Sequence, residues 1–183
     1  MKMKLPKMSA QLITHIAMLV ALEIVLNRFA AINTQYLKIA FNFIPIVVCA
    51  IIYGPLWAAV TWSIADIIGA VFLNTVGGAY FPGFTVTLAL AGMVYGFFLH
   101  RKTVKPWHII AAVLIYSLIL SYLLNTIWIS MVYGTPMAVL FVSRLVQLVC
   151  NIVFQSIMIP LLLTTIRKVP QLNRLAVSVH SAE

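Results

Sequence analysis

Five side chains able to do chemistry stand inside otherwise apolar stretches: Glu23, Arg28, Asp66, Asn125 and Arg144. Ionised groups at membrane depth are costly, so they face a cavity or a partner. Two carboxylates and two guanidinium groups allow two readings. Either they pair with one another and hold helices together, or the arginines line a pocket for an anion. A guanidinium grips a carboxylate through two parallel hydrogen bonds and so fixes its orientation. Asn125 adds an amide that needs partners wherever it is buried. Glu23 and Asp66 could also form a carboxylate pair in a small enzyme acting on lipid. No nucleophile elbow, zincin helix or paired-cysteine metal motif accompanies them. None of the eight glycines precedes a lysine, so a phosphate-binding loop is missing and an ATP-driven step needs a motor on another chain. No cofactor or metal is expected.

A second group of chemically useful residues lies in the segment Asn74-Thr-Val-Gly-Gly-Ala-Tyr-Phe-Pro-Gly83. Gly78, Pro82 and Gly83 supply turns, while Tyr80 and Phe81 supply rings. That composition suits a lid over a flat ligand, or an interfacial loop touching lipid headgroups. Trp128 could likewise cover a ligand or belong to an aromatic belt at the membrane surface.

The elements that must position these residues follow from composition. Of 183 residues, 63% are hydrophobic and 8% charged, with a mean hydropathy of +1.08. A soluble domain of this length cannot hide so much apolar surface. A soluble enzyme, a secreted disulfide scaffold and a disordered region are therefore excluded. Cys49 and Cys150 fall inside apolar stretches and read as small buried hydrophobes. A span needs about 20 apolar residues. Six segments qualify, at about 9–28, 39–53 (interrupted by Pro45), 56–73, 84–99, 107–132 and 137–166. The first carries His15 and Glu23 and reads as a retained helix, not a cleaved signal. The expected fold is all-α: a single polytopic membrane domain of six transmembrane helices, with no internal repeat.

The net charge of +9, from 12 Lys and Arg against 3 Asp and Glu, would suggest nucleic acid in a soluble chain. Here it sets orientation. Nine of the cations lie at the N-terminus, in the 100–106 loop and in the C-terminal tail, which fall on one side. Lys and Arg in short loops favour the cytoplasm, so both termini are expected inside, with no nucleic-acid partner. Arg28, Lys38 and Arg144 are left towards the outside, and the intramembrane ionisable groups other than His15 fall in the outer half. Small residues one turn apart, Ala17 with Ala21 and Gly92 with Gly96, mark helix-packing seams. His15 is expected to bond to a neighbouring helix, whereas His100 and His108 read as interfacial.

The order of six short helices, with Ala21-Leu-Glu-Ile-Val-Leu-Asn-Arg-Phe29, Phe43-Ile-Pro45, Tyr53-Gly-Pro55 and Ala65-Asp-Ile-Ile-Gly69, resembles the substrate-binding (S) component of energy-coupling factor (ECF) vitamin transporters. Gly78-Ala-Tyr-Phe-Pro-Gly-Phe-Thr85, Asn125-Thr-Ile-Trp128, Tyr133-Gly134 and Arg144-Leu145 look like its folate-specific branch. The resemblance implies a non-enzymatic chain of the bacterial plasma membrane that captures folate from outside. It further implies docking through Ala17 and Ala21 on a membrane coupling (T) subunit driven by two cytoplasmic ATPases. Within that implied site, Arg28 and Arg144 are candidates for the anionic tail. Asp66 or Asn125 would meet the pterin edge, and Tyr80, Phe81 and Trp128 would stack on or cover it. An S component for riboflavin or pantothenate, or a purely structural membrane subunit, are the alternatives.

Overall fold

The computed structural model describes the backbone of residues 10–29, 31–33, 38–72, 80–100 and 104–168. Its helices are α1 (Ala10–Phe29), α2 (Phe43–Tyr53), α3 (Pro55–Phe72), α4 (Pro82–Leu99), α5 (Pro106–Leu114), α6 (Asn125–Tyr133) and α7 (Met137–Lys168). A π-helical segment, Ile115–Leu124, joins α5 to α6, so the three form one continuous rod over Pro106–Tyr133. The result is the expected all-α membrane bundle. Five rods are long and apolar enough to cross a bilayer. The sixth, α2, has 11 residues, or about 16 Å at about 1.5 Å per residue.

The second helix was expected to begin at about Ile39. Residues 38–40 instead form strand β2 (Lys38–Ala40), antiparallel to β1 (Ala31–Asn33), with Ala31 opposite Ala40 and Asn33 opposite Lys38. Pro45 explains the later start. It is the third residue of α2, where a missing N–H breaks no intrahelical bond, so it opens the helix and does not interrupt it. Pairing between the two strands satisfies the backbone groups along their facing edges.

Gly54-Pro55 makes the stop that its composition predicts. Gly54 has φ +84°, a region that favours glycine, and its N–H donates to Ala50 O at 3.2 Å. Pro55 and Pro82 each occupy a first helical position, where the lost donor is harmless. The tightest seam joins α3 and α4. A Cβ on Gly92 would lie 2.7 Å from the Ala58 backbone, and one on Gly96 would lie 2.2 Å from Pro55 Cα. The Gly92–Gly96 pair therefore lets two backbones meet, as small residues do between membrane helices.

Polar contacts split between the two ends of the bundle. At the end opposite the ribbon, the His15 ring nitrogen Nδ1 is 2.5 Å from the Tyr53 hydroxyl, the interhelical bond expected for this histidine. His100 is buried and its Nδ1 lies 2.9 Å from Ile51 O, so it does more than sit at the interface. A terminal carbonyl of α2 would otherwise lack a donor. His108 accepts from the Lys105 N–H at 3.2 Å and caps α5. Mid-bundle, the buried Trp62 and Tyr95 form an aromatic cluster with the half-buried Tyr116, on which Trp62 stacks at 5.9 Å. The Tyr95 hydroxyl donates to Gln155 Oε1 of α7. Cys49 is buried with its Sγ 3.3 Å from Thr61 Oγ1, and both cysteines are free thiols.

Candidate ligand-binding site

The ribbon end collects the chemistry. On α3, Asp66 Oδ2 accepts from Thr85 Oγ1 of α4 at 2.6 Å. That donation uses the threonine proton, so the Tyr80 hydroxyl, 2.9 Å away, donates to Thr85. The relay Tyr80–Thr85–Asp66 holds the carboxylate in one orientation.

Beside it, Trp128 Nε1 of α6 donates to Thr87 Oγ1 at 3.0 Å, and Thr87 in turn donates to Gly83 O at 3.0 Å. The Phe81 ring packs on Trp128 at 5.5 Å and edge-on to Phe84 at 5.8 Å. Glycine is required at 83, because a Cβ there would fall 2.3 Å from the Phe81 ring and 2.8 Å from that of Trp128. Trp128 is thus a half-buried member of this cluster, bonded to Thr87 and packed on Phe81.

Arg144, about two turns into α7, donates from Nη1 to Thr126 Oγ1 at 3.2 Å. Thr126 donates back to Tyr122 O, and the Tyr122 hydroxyl donates to Phe141 O at 2.8 Å. The guanidinium is therefore tied to the junction of the π segment and α6. Asn125 Oδ1 is buried and has no partner among the described residues. A buried acceptor left unmade costs about 1–3 kcal/mol. Glu23 is buried as well, and accepts from Asn42 Nδ2 at 3.0 Å, which ties α1 to the start of α2.

The description "ECF transporter, substrate-specific component" matches residues 11–169. The chain belongs to that family. Among its relatives, the folate transporter FolT of Clostridium novyi is 36% identical over 133 residues, covering 73% of this chain and 76% of the relative. FolT of Leuconostoc mesenteroides is 38% identical over 132 residues, covering 71% and 69%. A crystal structure of FolT bound with folic acid superposes with a TM-score of 0.76 at 34% identity, covering 82% of this chain and 91% of that one. The chain is an S component, a multi-pass protein of the cell membrane and not an enzyme.

In this S component, Asp66, Tyr80, Phe81, Trp128, Asn125 and Arg144 come to one end of the bundle, together with Pro82 and Gly83. Arg28 lies in the last turn of α1, with its backbone alone described, and Gly78 lies outside the described residues. Ala17 and Ala21 are exposed on α1. The sequence reading passed over Thr85, Thr87 and Thr126, which carry the relays. Each serves a candidate on another helix, Asp66, Trp128 and Arg144 in turn, and threonine is too common in helices to signal itself. The π segment went unforeseen too, since neither glycine nor proline marks it.

Proposed function

We propose that this S component captures folate from outside the cell and delivers it for ATP-driven uptake. The observation that supports the reading is that an arginine, an oriented carboxylate and a tryptophan–phenylalanine pair all lie towards the ribbon end. Folate combines an anionic glutamate tail with a flat pterin, and those groups suit the two chemistries. The curated relatives are named folate transporters, and the related FolT structure holds folic acid. Arg144, with Arg28, would hold the tail, Asp66 or Asn125 would meet the donor edge of the pterin, and Phe81 and Trp128 would cover it with Tyr80. Gly78, Pro82 and Gly83 would let the covering segment open and close.

Uptake needs a motor, because this sequence contains no phosphate-binding loop. The partners are a membrane T subunit and two cytoplasmic ATPases. Ala17 and Ala21 would form the contact on α1, whose face also exposes Ile13, Met18, Leu22 and Val25. Both termini would lie in the cytoplasm and the ribbon end outside. The test is ligand binding to the purified chain in detergent, by tryptophan quenching or calorimetry. Saturable binding of folate in preference to riboflavin and pantothenate is expected; preference for either of the others overturns the assignment.

A further inference from the structure

The rod over Pro106–Tyr133 changes its inward face part-way along. In its first half the residues turned to the core are Ile109, Val113, Tyr116 and Leu120, which keep the period of an α-helix. The same period continued would turn Leu123, Ile127 and Met131 inward and leave Asn125 on the opposite side. The structure does the reverse. Leu123 is 46% and Met131 66% exposed, whereas Thr126 is fully buried. Thr126 reaches Arg144 of α7, and Trp128 reaches Thr87 of α4. Asn125 stands between those two directions, with its Oδ1 buried and without a partner among the described residues.

The π segment Ile115–Leu124 accounts for the change. Its i→i+5 bonding continues up to the Asn125 N–H, which donates to Leu120 O. A turn closed in this way takes up about one residue more than an α turn. Ten residues make about two such turns and so absorb about two extra residues. At about 100° per residue, that turns α6 by roughly half a revolution. We propose that the π segment is the positioning element of the ligand site, its surplus residues turning Asn125, Thr126 and Trp128 towards the ligand. The assignment rests on the folate reading and identifies the device that builds the site from this helix. π bonding usually runs for a single turn and recurs at functional sites, so a stretch of this length beside the candidate residues fits that role. Leu123 and Met131, turned outward, lie against lipid tails as apolar as themselves, so the membrane permits a rotation that water would oppose.

The test changes the number of residues in the segment. Deleting Leu118 and Ile119, both exposed, removes the surplus, so the rod can run as α-helix while α5 and α6 keep their relative rotation. Folate affinity of this variant should stay within about threefold of wild type. Inserting two alanines after Ile119 instead turns α6 by roughly a further half revolution, and folate affinity should fall at least about a hundredfold. A spin label reads the rotation without ligand. On a chain with Cys49 and Cys150 replaced by alanine, Met131→Cys carries the label, and its collision rate with oxygen dissolved in lipid is measured. The rate should be high in the wild-type background and in the deletion variant, and low in the insertion variant. If the paired deletion fails to fold, deleting Ile119 alone keeps the test, because one π turn then becomes α and binding is retained. Loss of folate in a folded deletion variant, retention of it in the insertion variant, or the same oxygen rate in all three overturns the proposal. Wild-type protein that binds no folate overturns the folate reading instead, and the oxygen rates alone then decide the rotation.

Discussion

At the scale of single residues, the site is organised by hydroxyl relays that aim charged and aromatic groups. Thr126 ties Arg144 to the π–α6 junction, and Thr85 orients Asp66. Arg144→Ala should weaken folate binding by about tenfold to a hundredfold, the factor that corresponds to about 1.5–3 kcal/mol for a hydrogen bond to a charged group. Arg144→Lys should recover part of that loss, because lysine keeps the charge but not the planar fork. Calorimetry on the two variants checks both. Thr85→Val removes the donor to Asp66 without changing side-chain shape. Folate affinity should fall by a few fold with little change in melting temperature, measured by quenching and by a thermal scan on the same sample. The charged candidates were legible in the sequence because charge is rare in apolar helices. The threonines were not, because a hydroxyl costs little there and its role depends on which neighbour it reaches.

At the scale of elements, two departures from the expected helices bear on the site. The ribbon replaces the start of the second helix, and the π segment replaces a turn of the fifth. Both bring polar groups to the ribbon end, the first by placing Asn42 against Glu23 and the second by turning Tyr122 towards α7. The α3–α4 seam supports Asp66 and Thr85 from below. Gly96→Ala would force a Cβ to within 2.2 Å of Pro55 Cα, a backbone atom that cannot swing away. Overpacking of this kind should destabilise the protein by about 1–3 kcal/mol. Gly69→Ala on α3 meets nothing within 4 Å and should stabilise by about 0.5–1 kcal/mol, since alanine loses less backbone freedom in a helix. Melting temperatures of the two variants should therefore move in opposite directions. The Gly92–Gly96 spacing was readable as a seam; its partner was not, because small-residue spacing does not say which helix arrives.

At the scale of the whole molecule, the bundle keeps the candidate ligand residues apart from the proposed docking flank. The candidate ligand residues lie at the ribbon end, while Ala17 and Ala21 lie on an exposed flank of α1. Ala17→Trp should leave folate affinity unchanged and abolish uptake in cells that carry the transporter, because a bulky ring on that flank blocks close helix approach. Loss of binding together with uptake would place the effect in the fold. The expected orientation has its own measurement. With Cys49 and Cys150 replaced by alanine, Pro136→Cys should react with a membrane-impermeant maleimide on intact cells. Lys105→Cys should react only after permeabilisation.

The sequence by itself determined the class, the number of apolar segments and the end towards which the rare polar groups gather. Each of these depends on hydrophobicity and charge, which are properties of residue type and survive in any arrangement of the chain. Tertiary structure alone decided that Asp66 meets Thr85, that Trp128 reaches Thr87 across to α4, and that Ser117, Tyr122 and Arg144 share one crevice. Those pairings depend on the rotation of each helix about its axis and on a change of helical register within one of them. Packing sets both, through contacts between residues far apart in the chain.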